Sequence, residues 1–450
     1  MSNAAENRNY VIEGVYDTEA ARQEAGVRNM HLNKAYIYAV EDAGGDPDGA
    51  ILRSFQEKYL WYRRGWRQLP ADAVDRKLCG ASFREAEYPP LCVDIETAAV
   101  CDLACSFCFR QWVATPDKII KMDLYKALID QCKELGVPSI KLNWRGEPLL
   151  HPQLPEMIDY AKRAGILEVI INSNATTLNE SKARELIDSG LDLLIYSFDG
   201  GTKETYEKMR PGRFKANTFE EVYGNIRNFS DIRSDMGAIL PRTKIQMILT
   251  KETFEEKDTF FANFSDCVDD VTVKPYTERG GKISELDEST SKILAEELDR
   301  LKLPHDVPFW RDLNGNMYVS TGRIPCEQPF QRVLVTYDGR VSMCCYDWGS
   351  QYPVGYVSEQ AIESGEKEYE KIMNKIQAGA KGFEDMTGAR LPDVLNQPAK
   401  EVRTLRDIWY GKEIDHVRKM HISGCGEKVA ACKHCTFKET YAWAKIGESE

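Results

Sequence analysis

Between Leu91 and about Gly280 the sequence alternates short apolar runs with amphipathic stretches, and no other feature restricts the fold as much. Candidate strands are Leu91–Ile95, Ser139–Trp144, Glu168–Asn172, Leu191–Phe198, Lys244–Leu249 and Asp270–Lys274. Apolar residues at helical spacing fill the intervals at Leu124–Leu135, Leu154–Ala164, Glu180–Ser189 and Phe219–Phe229. Strand–helix repetition of this kind predicts a parallel sheet with right-handed crossovers. The expected class is α/β, a partial (β/α)6 TIM-like barrel with reactive groups at the C-terminal ends of its strands.

Two further regions flank the alternation. Residues 1–90 are expected to form a mostly helical extension, disordered from Met1 to about Asn9. Its aromatic segment Ser54–Trp66 reads as a helix that closes the barrel bottom, since aromatic residues at helical spacing are usually core. A substrate lid or a peptide-binding element is the functional alternative. Past about residue 280 the alternation stops, with a polar helix at Glu285–Leu303 and a connecting segment at Leu303–Tyr318. Apolar alternation in Arg332–Thr336 and Val341–Met343 around Asp338-Gly339 predicts a β-hairpin, because Asp-Gly tolerates the positive φ of the turn. A polar, helix-prone insertion at Gln351–Lys400 and a helix at Leu405–His421, with Trp409 on its apolar face, complete the chain. The expected domains are therefore residues 1–90, 91–300 and 301–450.

A net charge of −12 argues against nucleic acid as the main partner. No apolar run approaches the ~20 residues that span a bilayer, and the polar N-terminus has no signal-peptide core. A cytoplasmic, reducing location is expected, in which the 13 cysteines are thiols or metal ligands rather than a disulfide framework.

Three of these cysteines follow the first candidate strand as Cys101-Asp-Leu-Ala-Cys105-Ser-Phe-Cys108. Three soft thiolates on one loop suit three corners of an iron–sulfur cube and leave the fourth iron open. A zinc knuckle completed by a distant ligand is the plainer alternative. The CxxxCxxC spacing, with Phe107 before the last cysteine, resembles the signature loop of the radical S-adenosylmethionine (SAM) superfamily. That resemblance implies a [4Fe–4S] cluster that binds SAM and cleaves it to a 5′-deoxyadenosyl radical, fed by a reductant such as flavodoxin or ferredoxin. Asn143-Trp-Arg-Gly-Glu147 is similar to the family's Gly-Gly-Glu segment, which receives the methionine ammonium. Arg145 replaces its first glycine, so Gly146 and Glu147 carry the match. By the same resemblance Asn172 and Asn174 are expected near the SAM ribose, and Ser197 and Arg210 near its carboxylate, although each also suits a turn or cap.

A second cysteine set comprises Cys326, Cys344-Cys345 after the hairpin, Cys425, and Cys432-Lys-His-Cys435. Cys326 with Pro-Phe behind it, the Asp-Gly turn and the final CxxC resemble the auxiliary-cluster module called SPASM, or its shorter twitch form. One auxiliary [4Fe–4S] cluster on Cys326, Cys344, Cys432 and Cys435 is the economical assignment, with Cys425 as a substitute ligand or free. A zinc ribbon is the alternative. Cys79, Cys92, Cys132 and Cys267 read as buried small hydrophobes. Net oxidation beside such a cluster needs a general base, for which Asp347, Tyr346 and Glu327 are the candidates. The preferred substrate is a sugar, amino sugar or cyclitol that is dehydrogenated or epimerised. A peptide that is crosslinked or epimerised is the second reading, and a non-catalytic iron–sulfur or zinc scaffold the third.

Overall fold

The structure, a computed structural model, describes residues 17–108, 110, 115–275, 288–300, 302–303, 307–312, 314, 316–347, 349–350, 352–364, 398–433, 435 and 437–446. The disorder expected at the N-terminus and most of the insertion expected at Gln351–Lys400 lie outside these residues.

Six parallel strands follow one another in chain order: β1 (Cys92–Ile95), β2 (Ser139–Lys141), β3 (Glu168–Ser173), β4 (Leu193–Ser197), β5 (Arg242–Leu249) and β6 (Asp270–Pro275). The sheet stays open, because β6 does not meet β1. Instead β9 (Arg332–Val335) pairs parallel to the free edge of β1, and β10 (Arg340–Ser342) and β11 (Pro353–Tyr356) extend that edge antiparallel. This is the expected partial barrel, with the expected hairpin built into the same nine-stranded sheet. β9 turns back into β10 through Asp338-Gly339, where Gly339 adopts φ +98°.

Helices cover one face. Met122–Leu135 turns Tyr125, Leu128, Ile129, Cys132 and Leu135 inward and ends at Gly136, whose left-handed φ of +77° lets its N–H reach the Cys132 carbonyl. Val93, Val169, Ile171, Leu194, Ile245 and Val333 from the strands join the same core. Alternation then places Asp94, Lys141, Asn172, Ser197, Gln246 and Arg332 on the opposite face, away from the helices. That face is mixed: it also carries Ile170, Ile195 and Leu334, while Arg332 lies 3.3 Å from Asp94 and Lys244 3.4 Å from Asp270.

The aromatic N-terminal helix runs from Ala50 to Asp75. Phe55, Tyr59 and Tyr62 pack on Leu91 and Leu167, which precede β1 and β3, and the Tyr62 hydroxyl donates to Glu168 Oε2 at 2.7 Å. The helix therefore lies at the N-terminal ends of the strands. Among the described residues no helix is long and apolar enough to cross a membrane.

Three expectations are corrected. The connecting segment Leu303–Tyr318 contains β7 (Phe309–Arg311), which pairs with β8 (Met317–Arg323) in a second sheet completed by β12 (Tyr441–Lys445). The insertion begins with a strand, β11. Leu405–His421 is two helices, Leu405–Trp409 and Lys412–Ile422, because Gly411 between them takes an extended conformation (φ −80°, ψ 163°) that ends one helix and starts the next. Trp409 is fully buried as expected, its indole N–H donating to the Tyr88 carbonyl at 2.7 Å.

Candidate active site

The loop bearing Cys101, Cys105 and Cys108 leaves the C-terminal end of β1 and is fastened on both sides. Glu147 N donates to the Val100 carbonyl at 2.8 Å, Ala104 N to Pro211 O at 2.8 Å, and Ser106 N to Met209 O at 3.3 Å. Cys108 N donates to Cys105 O at 3.0 Å, closing a turn within the motif. Asp102 accepts from Asn174 Nδ2 at 2.8 Å and from the Thr176 hydroxyl, which ties the loop to the end of β3. Burial pushes the Cys105 thiol up to about 12, against the pull of the Arg210 guanidinium, and raises Cys101 as well. Such thiols give up their protons to a soft metal rather than to water. Three thiols on one fastened loop are a donor set that fits three irons of a cube, and Cys101, Cys105 and Cys108 are the residues able to hold it.

Arg210, Asn174, Glu147 and Gly146 gather around this loop. Arg210 Nε donates to Asp199 Oδ2 at 2.8 Å, its Nη1 lies 4.0 Å from Cys105 Sγ, and its guanidinium lies 5.6 Å from the Phe107 ring centroid. Asn174 Nδ2 lies 3.9 Å from Cys101 Sγ. Glu147 is buried, and its carboxylate accepts from Ser173 Oγ at 2.8 Å, Asn174 N at 2.7 Å and Leu149 N at 3.0 Å. Burial raises its pKa to about 7 even so, because three donors only partly replace water around the charge. Gly146 has a packing role: a Cβ there would lie 2.2 Å from Ala98 O and 2.4 Å from Val100 O, against the backbone that leads into Cys101. Among the described residues, neither the buried Asn172 Oδ1 nor the buried Gln246 Oε1 has a hydrogen-bond partner. Gln246 pairs in register with Ser197. Both oxygens lie on the inner face of the sheet; Asn172 Oδ1 suits the hydroxyl and amino donors of the SAM adenosine, and Gln246 Oε1 suits a second ligand that bears N–H or O–H donors.

Arg145, the departure from the family pattern, has its own partner. Its Nε and Nη2 donate to the two oxygens of Glu96 at 2.7 and 2.8 Å, in a pair that is almost fully buried. Burial pulls against its charge, but the Glu96 carboxylate outweighs that pull and holds its pKa above the usual value. Next to it the Trp144 indole donates to the Cys345 carbonyl at 3.0 Å, which joins the first loop's surroundings to the second cysteine set.

Chain direction sets the two cysteine groups at opposite ends of the strands. Cys326 precedes β9, whose Arg332 pairs with Cys92 at the start of β1, and Cys344 follows β10 as it runs back toward that end. Cys326, Cys344, Cys432 and Cys435 line one cavity together with Tyr346 and His421. Cys425 does not line it. Burial raises the Cys326 and Cys344 thiols well above their ordinary range, and the neighbouring cysteines raise them further. Among the described residues no three Cys, His, Asp or Glu side chains converge on a single-ion position. Cys92, Cys132 and Cys267 are buried as expected, whereas Cys79 is partly exposed.

Of the candidate bases, Asp347 is buried and its Oδ2 accepts from Tyr352 N at 3.1 Å, closing the turn after Cys344. Tyr346 faces the cavity, with its ring 4.8 Å from that of Phe437. Glu327 precedes β9, and burial raises its pKa, helped by nearby Glu439. Sequence reasoning missed His421. Its Nδ1 accepts from Cys326 N at 3.2 Å and its Nε2 lies 3.5 Å from Cys432 Sγ, while burial and nearby Arg323 lower its pKa to about 4.

Two sequence-family models agree with this geometry. A model of the radical SAM superfamily matches residues 95–261, and a model of the iron–sulfur cluster-binding SPASM domain matches residues 326–377. A probable GTP 3′,8-cyclase from Methanopyrus kandleri is 27% identical over 56% of this chain and 80% of its own length. The tungsten-containing aldehyde ferredoxin oxidoreductase cofactor-modifying protein of Pyrococcus furiosus is 25% identical over 36% of this chain, which spans 44% of that relative. The structure of Streptococcus suis SuiB bound to precursor peptide SuiA superposes with a TM-score of 0.48 at 13% identity, covering 84% of this chain and 76% of SuiB. The two matched models give this chain a radical SAM domain, which binds a [4Fe–4S] cluster and SAM, and an iron–sulfur cluster-binding SPASM domain, and the chain is a radical SAM enzyme with a C-terminal SPASM domain.

Proposed function

We propose that this enzyme abstracts hydrogen from a small polyhydroxylated or amino-substituted substrate, a sugar, amino sugar or cyclitol, which it dehydrogenates or epimerises. The observation that carries this reading lies on the inner face of the sheet, where Gln246 Oε1, beyond the Asn172 oxygen given to SAM, is a buried acceptor with no donor among the described residues. An apolar substrate would leave that oxygen desolvated and unpaired, at about 1–3 kcal/mol. A hydroxyl or amino hydrogen satisfies it. The Methanopyrus kandleri relative, named for a reaction of GTP, supports a small polar substrate.

In this reading Cys101, Cys105 and Cys108 hold the first cluster, and Cys326, Cys344, Cys432 and Cys435 hold the auxiliary one. When bound, cluster and SAM supply a 5′-deoxyadenosyl radical. The chain's residues supply geometry around it. Glu147 and Gly146 position the cysteine loop, and Glu147 receives the methionine ammonium. Ser197 and Arg210 take the methionine carboxylate, and Asn172 and Asn174 the ribose. In a dehydrogenation Asp347 would accept the substrate proton while the auxiliary cluster, when bound, would take the one electron left on the substrate radical; Tyr346 and Glu327 are the other groups at that end. A one-electron donor such as flavodoxin or ferredoxin serves the first cluster. The chain divides for these tasks at about residues 90 and 300. Incubation with substrates deuterated at each ring carbon should move deuterium into 5′-deoxyadenosine from one position of a sugar or cyclitol. Transfer only from a peptide would overturn the assignment.

A further inference from the structure

The histidine that sequence reasoning missed has no part in the scheme above, yet it touches two of the four cysteines in the second cavity. We infer that His421 tunes the auxiliary cluster by donating a hydrogen bond from Nε2 to the Cys432 sulfur, raising the cluster's reduction potential without ligating iron. The inference rests on the proposed assignment of Cys326, Cys344, Cys432 and Cys435 to that cluster.

The geometry assigns the ring nitrogens. Nδ1 accepts the Cys326 backbone N–H at 3.2 Å, so its lone pair is used and the ring proton belongs on Nε2. Nε2 in turn lies 3.5 Å from Cys432 Sγ, a hydrogen-bonding distance for sulfur. The ring cannot easily turn away. It is 3% exposed, and Gly426 packs so closely that a Cβ there would lie 2.7 Å from ring atoms Cε1 and Nδ1. One residue therefore reads the backbone at Cys326 and presents a fixed donor to the sulfur of Cys432. Adding one electron to a [4Fe–4S] cluster puts more negative charge on its sulfurs. An N–H aimed at a ligand sulfur stabilises that reduced state.

The test uses the full chain reconstituted anaerobically, with Cys101, Cys105 and Cys108 changed to Ala so that the auxiliary EPR signal stands alone during dithionite titration. His421→Ala should keep its iron and sulfide and become at least about tenfold harder to reduce, a fall of about 59 mV. His421→Gln, whose amide N–H can reach the same sulfur, should recover part of the shift. In otherwise wild-type protein labelled with 15N-histidine, the reduced auxiliary cluster should show one weakly coupled nitrogen. An unchanged potential with iron retained would overturn the inference, as would a strongly coupled, iron-bound nitrogen or loss of the cluster from both variants. A parent protein that binds no auxiliary iron would instead overturn the cluster assignment beneath it.

Discussion

Changing Arg145 to Ala should damage the barrel beyond what a surface charge can do. The substitution removes both charge-assisted hydrogen bonds, at 2.7 and 2.8 Å, from a Glu96 carboxylate that is fully buried. Among the described residues, only the Tyr337 backbone N–H, at 3.3 Å, would remain to it. Stranding one partner of a buried pair costs about 3–5 kcal/mol. Losing the stack of Arg145 on the Trp144 ring, 4.4 Å from its centroid, adds about 0.5–1 kcal/mol or more. With a urea dependence of about 3 kcal/mol per M, the unfolding midpoint of the apoprotein should fall by about 1 M or more. The double change Glu96→Gln with Arg145→Met should recover most of that fall, since replacing both partners of a buried pair is often neutral. Iron bound by the first cysteine loop should fall with Arg145→Ala alone, because Glu96 leads directly into that loop. A midpoint shift below about 0.3 M, or about 1 kcal/mol, would refute the reasoning.

Other outcomes follow from the same contacts. Gly146→Ala should displace the backbone at Ala98 and Val100, which its Cβ would meet at 2.2 and 2.4 Å, and iron analysis should show the first cluster depleted while the second set keeps its iron. Glu147, raised by burial to about 7 from an ordinary 4.5, binds its proton more readily in the folded chain than in the unfolded one. Its contribution to stability is therefore fully present below about pH 4.5 and lost as the pH rises through about 7; urea midpoints between pH 5 and 8 should fall less steeply in Glu147→Gln than in wild type. Cys425→Ala should retain auxiliary iron and Cys432→Ala should lose it, since Cys432 lines the cavity and Cys425 does not. Equal loss from both would move Cys425 into the ligand set.

The alternating half of the chain was legible because each unit carries its own punctuation. Glu180–Ser189 begins after Asn179, whose side chain caps Lys182 N, and ends at left-handed Gly190, so its bounds agree with the reading. The strands turn every second residue inward, apolar at Val169 and Ile171 in β3 until Ser173 reaches the site. β7 and β11 escaped notice because three or four residues carry too little periodicity, and Pro353 opens β11. The cysteines of the candidate site were legible because their spacing is local. Arg145 stood out only as a missing glycine; its partner lies 49 residues away, so its pairing needed the fold. His421 gave no signal at all, since it lies 95 residues from Cys326 and on a helix whose inward face looks like ordinary core.

The central claim is that the first thiol trio alone supports SAM cleavage, and the C101A/C105A/C108A protein tests it most directly. Assayed anaerobically with reductant and SAM, it should form no 5′-deoxyadenosine while its second set retains a cubane EPR signal. Continued 5′-deoxyadenosine formation, or a mononuclear zinc at the trio in the parent protein, would contradict the account.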